Sequence, residues 1–351
     1  MKIAQIGCSG TYNYGDEMSH RSVRMQLREI FPDSEILQFG SSMAMLEKEH
    51  SDADAVISFS NLERILHETS ECDFWVYGPG TVMTSGPSIS VAGQMFAVNK
   101  NLVIWGVGAG SFKGHEESTG ASMIKNAILA TARDVESVNR MKHVREDVYL
   151  IPDPMLIHCK KRTEGENRNG VTISSKILAR GGWLTDELQD SVMEAVSTAI
   201  NTIGGKWTAI PASWLGGDYD SDHLCHKILS DLCPELDILI PEDFDDVTEK
   251  LSNLDYYITS RLHTGVPAAG MGVKTVFFGD DKTRFMCEGW GEPEIFAGHY
   301  RELNSSSILS KFEHLSKLDN DEMSTPAQLA SQFSSLSKIF DELKMLIGEK
   351  R

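Results

Sequence analysis

An arginine and a histidine two positions apart, Arg261 and His263, lie between two apolar runs of the sequence, residues 256–258 and 274–278. Each run is typical of a buried strand, and the small residues at 265–272 predict a helix packed closely on a sheet. The two polar residues therefore lie where a strand ends and a helix begins, the edge at which open α/β sheets bind ligands. For this pair alone, a helix-capping histidine and an ion-paired arginine remain an equally good interpretation.

Further cations follow the second apolar run. The segment "GDDKTRFMCEGWG" carries Lys282 and Arg284 directly after the predicted strand, and hence at the same edge as His263. With Arg261 they would form a cationic patch suited to an anionic ligand. The alternative for Lys282 and Arg284 is a charged loop that interacts only with solvent.

The composition bounds the class of protein. The chain has 351 residues with 41% hydrophobic and 24% charged, which suggests two domains of about 150 residues each. Its formal net charge of −18 would repel nucleic acid and anionic membranes, so no nucleic-acid partner is expected. The six cysteines are scattered without a CxxC pair, which indicates reduced thiols and argues against a zinc site. The first residues, "MKIAQIGCSG", lack the apolar stretch of a signal peptide, and we expect a cytoplasmic protein.

Strand and helix signals alternate in two successive series. In the first half, helices are expected at 17–30 and 120–132, and strands at 2–6, 35–38, 54–57, 74–77, 101–105 and 148–151. In the second half, "GVTISS", "KWTAIPA", "LDILIP", "YYITS" and "KTVFF" predict strands, and residues 185–203 and 244–252 predict helices.

These two series predict the domain organisation and the fold class. The polar segment "HCKKRTEGENRNG" is typical of a linker. We expect domains at 1–158 and 171–325, a linker at 159–170, and an amphipathic final helix at 326–351 that could cross back onto the first domain. The predicted class is α/β, with two Rossmann-like domains facing a cleft, as in the glycosyltransferase-B architecture. The alternation alone fits other two-domain α/β enzymes equally well.

Four glycine-bearing loops follow predicted strands: "GCSGTYNYGDEM", "GPGTVMTSGPS", "GVGAGSFKG" and "SRLHTG". Glycine lets the backbone approach a ligand, and exposed N–H groups at helix starts attract anions. None of the loops carries a complete dinucleotide fingerprint, and each alone predicts only a turn. In the first loop, Asp16 either caps a helix that begins at Glu17 or contacts the substrate together with Asn13.

Two other segments carry acidic side chains. "TARDVESVNRM" contains Arg133 and Asp134, for which a surface ion pair is the favoured interpretation when they are taken alone. "GGDYDSDH" has alternating carboxylates at 218–222 that resemble part of a calcium loop. It lacks the terminal glutamate and the helical frame of an EF-hand, so a polar loop with some substrate contact is favoured and no metal is expected.

The order of these motifs resembles the polysaccharide pyruvyl transferase family. The resemblance rests on "NYGDEM", "GPGTVMTSGPS", "WGVGAGSF", "ARDVESVNRM", "IPDPMLI", "SRLHTGVPAAGMGVKTV" and "GDDKTRFMCEGWG", which together span residues 7 to 291. The Ser-Arg-Leu-His block and the lysine loop are the most specific. Two features depart from the family: Pro79 stands where glycine is commoner, and the segment after "GVTISS" differs from the usual arginine-containing strand end.

The resemblance implies transfer of the enolpyruvyl unit of phosphoenolpyruvate to sugar hydroxyls, giving a pyruvate ketal and phosphate. It implies that Arg261 and Lys282 bind the anionic donor, that His263 moves the proton, and that no cofactor is needed. The remaining substrate-binding candidates are Asn13, Asp16, Gly78, Gly80, Thr81, Gly106, Gly108, Arg133, Ser260, Leu262 and Arg284.

Two other functions stay open at this stage. One is a glycosyltransferase that uses a nucleotide sugar, and the other is a non-catalytic glycan- or anion-binding partner in polysaccharide assembly. The presence of Arg261, His263 and Lys282 argues against the second. Expected partners are phosphoenolpyruvate and a glycan or lipid-linked saccharide, and a peripheral association with the membrane assembly machinery stays open.

Overall fold

The computed structural model describes residues 1–84, 86–156, 168–177, 185–213, 221–318 and 327–348. The chain divides into two compact units, the first comprising Met1–Thr11, Asp16–His158 and Ala330–Arg351, and the second Tyr12–Gly15 and Cys159–Leu329. Most of the expected linker, residues 159–167, lies outside the described residues. No helix in the described ranges has the length and apolar character needed to cross a membrane.

The first unit is built on a parallel sheet with the order β3-β2-β1-β4-β6-β7-β8, and β5 pairs with β6. Its strands are β1 (Lys2–Ile6), β2 (Glu35–Gly40), β3 (Ala55–Ser58), β4 (Phe74–Tyr77), β5 (Gly80–Val82), β6 (Leu102–Ala109), β7 (Leu129–Ala132) and β8 (Tyr149–Leu150). Its helices are α1 (Tyr14–Ile30), α2 (Met43–Glu49), α3 (Leu62–Ser70), α4 (Pro87–Val98), α5 (Thr119–Asn126) and α6 (Val135–Met141), together with most of the final helix, α13 (Ala327–Gly348).

Both faces of this sheet are buried, as is usual for parallel sheets with helices on each side. Along β4, Trp75 and Tyr77 pack in one apolar cluster while Phe74 and Val76 pack in the other. The second cluster is covered by α1 and α13, and Phe340 of α13 stacks on a strand tryptophan, Trp105, with ring centroids 5.8 Å apart.

The second unit has a six-stranded parallel sheet with the order β11-β10-β9-β12-β13-β14. Its strands are β9 (Arg168–Thr172), β10 (Lys206–Ala209), β11 (Leu236–Ile238), β12 (Tyr256–Thr259), β13 (Lys274–Gly279) and β14 (Phe296–His299). Its helices are α7 (Asp186–Ile203), α8 (Asp222–Leu232), α9 (Phe244–Ser252), α10 (Leu262–Gly270), α11 (Asp281–Gly289) and α12 (Ser305–Ser316).

The two sheets reverse their strand order at equivalent places. In the first unit the reversal lies between β1 and β4, and in the second between β9 and β12. The carboxyl ends of the strands that flank such a reversal form the crevice in which doubly wound folds bind ligands. Each unit would therefore bind a ligand at the loops beside its reversal point. These are the loops after β1 and β4 in the first unit, and those after β9 and β12 in the second.

Two sequence-based element predictions need correction. Residues 120–132 form α5 followed by β7, so the prediction of one helix is wrong in its second half. The first helix begins at Tyr14 instead of Glu17. The short run "LATA" of β7 has weak strand propensity, and its pairing with β6 and β8 overrides that preference.

Candidate functional site

Arg261 lies at the reversal point of the second sheet, directly after β12 and before the first residue of α10. Its guanidinium forms a two-pronged ion pair with Asp222, with Nη2 2.6 Å from Oδ1 and Nε 3.2 Å from Oδ2. A second contact joins Nη2 to the hydroxyl of Ser175 at 3.3 Å. Arg261 is therefore held in a defined orientation at the sheet edge by the side of its guanidinium that carries Nε and Nη2.

Asp222 was expected to belong to a polar loop with some substrate contact, and the structure shows a different role. Its side chain is completely buried at the start of α8. Besides Arg261, it accepts backbone N–H groups from Ser175 at 2.9 Å, Ala212 at 3.0 Å and Ser213 at 3.2 Å. Asp222 thus joins the loops that follow three strands. The preceding carboxylates at 218 and 220 lie outside the described residues.

The neighbours of Arg261 in the Ser-Arg-Leu-His block have structural contacts of their own. The buried Ser260 hydroxyl accepts the backbone N–H of Ser174 at 2.8 Å, which ties the loop after β12 to the loop after β9. Leu262 is the first residue of α10 and is half-buried. Direct substrate contact by Ser260 and Leu262 stays a prediction.

His263 lies in the first turn of α10, half-buried, against a glycine from the beginning of the chain. A Cβ atom added at Gly15 would lie 2.2 Å from the Cβ of His263, so no side chain fits at position 15. The segment 12–15 belongs to the second unit, where Asn13 forms an antiparallel bridge with Ser213 and Tyr14 N donates to Ala212 O at 2.8 Å. The "NYGDEM" and "SRLH" motifs therefore meet at His263.

Lys282 and Arg284 lie on α11, which follows β13, the strand next to β12. Lys282 is exposed in the first turn. Arg284 pairs along the helix surface with Asp281 at 3.0 Å and Glu288 at 2.9 Å. Arg284 thus has the contacts of an ordinary helix-surface pair, and Lys282 lies at the edge that also carries Arg261.

Close packing accounts for two of the glycines predicted as ligand contacts in the first unit, Gly78 and Gly106. Gly106 and Gly108 lie inside β6, because this strand continues to Ala109 instead of ending at residue 105. A Cβ at Gly78 would lie 2.2 Å from the carbonyl oxygen of Trp105, and one at Gly106 2.6 Å from Pro154. Gly80 and Thr81 belong to the short strand β5, which pairs with β6. Their substrate contacts stay predictions.

Arg133 is almost completely buried, with its Nη1 atom 3.4 Å from Oδ2 of the buried Asp153. A Cβ at Gly108 would lie 3.1 Å from Nη2 of Arg133. The favoured surface pair with Asp134 does not form, because the Asp134 carboxylate caps α6 by accepting the N–H of Ser137 at 2.7 Å. Arg133 is thus a buried cation under the strand ends of the first sheet.

The loop after β1 is stabilised by an internal carboxylate. Glu17, fully buried, accepts the N–H groups of Gly10 at 3.0 Å and Thr11 at 2.6 Å. Asp16 does not cap the helix; it lies within the first turn and accepts the Thr11 hydroxyl at 3.1 Å, while Asn13 accepts the N–H of Gly15 at 3.0 Å.

A chain of buried polar groups supports Glu17. His50 lies 2.6 Å from its carboxylate, and Arg24 donates to the other ring nitrogen of His50 at 2.7 Å. Because arginine can only donate, His50 must be neutral and donate its Nε2 proton to Glu17. Burial lowers the pKa of His50, in agreement with this neutral form. Asp52 completes the chain by pairing with Arg24 at 2.6 Å.

Comparison with known families identifies the chain. The sequence profile of the family described as polysaccharide pyruvyl transferase matches residues 13–282, more than half of the chain. The chain belongs to the polysaccharide pyruvyl transferase family. No curated protein matches this pyruvyl transferase family member.

Solved structures share the fold of this pyruvyl transferase family member at low identity. A Listeria monocytogenes protein described as a UDP-N-acetylglucosamine 2-epimerase has a TM-score of 0.64 at 12% identity, covering 98% of this chain and 97% of that chain. The UDP-GlcNAc 2-epimerase of Methanocaldococcus jannaschii gives 0.60 at 9%, covering 97% and 100%. The E. coli heptosyltransferase WaaC with ADP gives 0.51 at 9%, covering 90% and 98%. These likenesses show the fold alone, and they confirm the predicted glycosyltransferase-B-like α/β class.

Sequence reasoning missed several residues of the candidate site. Gly15 and Glu17 flank Asp16 in the same motif, but only the structure shows their contacts with His263 and with the loop backbone. His299 also reaches the edge that carries Lys282, with its Nε2 atom 3.6 Å from Asp281. No sequence signal marks His299, because its strand is short and carries no polar motif.

Two fully buried histidines predict how the stability of this protein depends on pH. Burial lowers the pKa of His20 to about 3 and that of His226 to about 4, against about 6.5 in an unfolded chain. Below pH 6.5 the unfolded chain therefore binds protons that the folded state does not. As the pH falls from 6.5 towards its folded pKa, each histidine should lower the free energy of unfolding by about 1.4 kcal/mol per pH unit.

We expect the urea midpoint to fall between pH 7 and pH 5, and His20→Gln to reduce that fall. The exposed His143→Gln is the matched control and should keep it. An equal fall in the wild type and in His20→Gln would contradict the assignment.

Proposed function

We propose that this protein transfers pyruvate from phosphoenolpyruvate to sugar hydroxyls of a polysaccharide or glycan precursor, forming a pyruvate ketal and releasing phosphate. One observation carries the proposal: Arg261 and His263 follow β12 at the reversal point of the second sheet, and Lys282 follows the adjacent β13. An oriented arginine, a proton carrier and a point charge at one edge suit a small donor with two anionic groups.

The proposed reaction has no net redox change. The vinyl carbon of phosphoenolpyruvate takes up a proton and becomes a methyl group, which leaves an oxocarbenium-like centre at C2. A sugar hydroxyl attacks C2, the bond from C2 to the phosphate oxygen breaks, and a second hydroxyl closes the ketal. Of the two hydroxyl protons, one balances the proton delivered to the vinyl carbon and the other leaves with phosphate.

We assign proton transfer to His263, because imidazole is the side chain that most often donates and accepts protons in catalysis. Arg261 and Lys282 would bind the carboxylate and phosphate and stabilise the charge that develops on the leaving phosphate. Because the protein carries a net charge of −18, such local cations are needed to attract an anionic donor. The reaction requires no metal or redox cofactor.

Thermal unfolding with candidate donors tests the proposal. A ligand that binds only the folded protein raises its melting temperature, and we expect phosphoenolpyruvate to do so while nucleotide sugars do not. A phosphate-release assay against free and lipid-linked glycosides should then identify the acceptor. A shift produced by nucleotide sugars alone would favour a glycosyltransferase instead.

A further inference from the structure

We propose that Asp222 is a positioning residue for the donor: it holds the Arg261 guanidinium in the orientation that receives an anionic group. This inference rests on the proposed function of the same site. Asp222 would not touch the donor, because its carboxylate is completely buried and faces Arg261 and backbone N–H groups.

The contacts of Asp222 show why it can hold a long side chain in one place. Oδ1 accepts Ser175 N as well as Arg261, and Oδ2 accepts both Ala212 N and Ser213 N. The acceptor is therefore attached to the loops after β9 and β10, and Arg261 attaches the loop after β12 to them. A shift of Asp222 would move the guanidinium relative to the whole sheet edge.

Because of this ion pair, Arg261 and Lys282 have different roles in binding the donor. Asp222 balances the charge of Arg261, so the pair contributes oriented N–H donors and little net attraction. Lys282, exposed in the first turn of α11, adds a positive charge at the same edge. Arg261 is the cation seen to pair with Asp222, and a buried acid is costly to leave unpaired. The effect of Asp222 on the donor should therefore pass through Arg261.

A double-mutant cycle on the whole chain tests whether Asp222 acts on the donor through Arg261, with phosphate release as the assay. We expect Asp222→Asn to raise the donor KM about 10- to 100-fold, the range for a lost charge-assisted contact, with a smaller change in kcat. Arg261→Ala should raise it similarly. In the Arg261→Ala background, Asp222→Asn should change the donor KM by about twofold or less, because both changes remove one interaction.

Donor KM effects that multiply in the double variant, or an unchanged donor KM in Asp222→Asn, would overturn the inference. If Asp222→Asn does not fold, Ser175→Ala removes only the hydroxyl contact with Arg261 and should raise the donor KM a few-fold, an effect that Arg261→Ala abolishes. The exposed Asp231→Asn on the same helix is the matched control and should leave the donor KM unchanged. A wild-type protein that neither binds nor consumes phosphoenolpyruvate would instead overturn the proposed function itself.

Discussion

Replacing His263 by alanine should lower the kcat of pyruvyl transfer by about 10²- to 10⁴-fold, the usual loss when a general acid–base is removed. The donor KM should stay near its wild-type value, because the anionic groups are assigned to other side chains. Steady-state phosphate release at varied phosphoenolpyruvate concentration separates the two parameters. His263 is half-buried in the first turn of α10, so the substitution removes no large part of the core.

Lys282→Ala provides the contrast for this experiment. It removes an exposed point charge and should mainly raise the donor KM, with a smaller effect on kcat. A His263→Ala enzyme with near-normal turnover would refute the assignment of proton transfer, and an unaltered donor KM in Lys282→Ala would refute the assignment of donor binding.

Gly15→Ala should lower kcat by about 10²-fold, although residue 15 carries no functional group. The added Cβ would lie 2.2 Å from the Cβ and 2.7 Å from Nδ1 of His263, so the backbone at one of the two positions must shift and displace the imidazole relative to its neighbours. A displacement of about 1 Å can cost that much when reacting groups must be aligned. Phosphate release by Gly15→Ala, compared with His263→Ala, measures the effect.

Gly289→Ala is the matched control for this substitution. No heavy atom of the described structure lies within 4 Å of a Cβ added there, so kcat should be unchanged. Full turnover in Gly15→Ala would contradict the assignment of proton transfer to His263 in the position described.

The parts of the fold that the sequence predicted well are those with strong apolar periodicity. The runs that form β12 and β13 are rich in aromatic and β-branched residues, and α9 has the predicted bounds. The strand β7 was assigned to a helix because alanine and leucine favour helices, and its burial between two strands is not visible locally. Propensity fails where tertiary pairing decides the conformation.

In the candidate site, too, the local sequence indicates individual side chains but not the residues they contact. The motifs indicated Arg261 and His263, because polar residues between a strand and a small-residue helix stand out in the sequence. Their partners, Asp222 and Gly15, are far away in the chain and meet them only through the sheet topology. Arg133 likewise pairs with Asp153 instead of its sequence neighbour. A single sequence contains the residue types of a site but not the pairs they form.

The final helix has a consequence for how the protein is made. Leu336, Ile339 and Leu343 of α13 complete the apolar cluster that covers one face of the first sheet, yet they are translated after the entire second unit. While the ribosome is still adding residues, that face of the first sheet lacks the part of its cover that α13 supplies, including the ring that stacks on Trp105. Domains usually fold in order of synthesis. Here the first unit to emerge from the ribosome is the last to be completed. Nascent chains would need shielding of this apolar face until translation reaches α13.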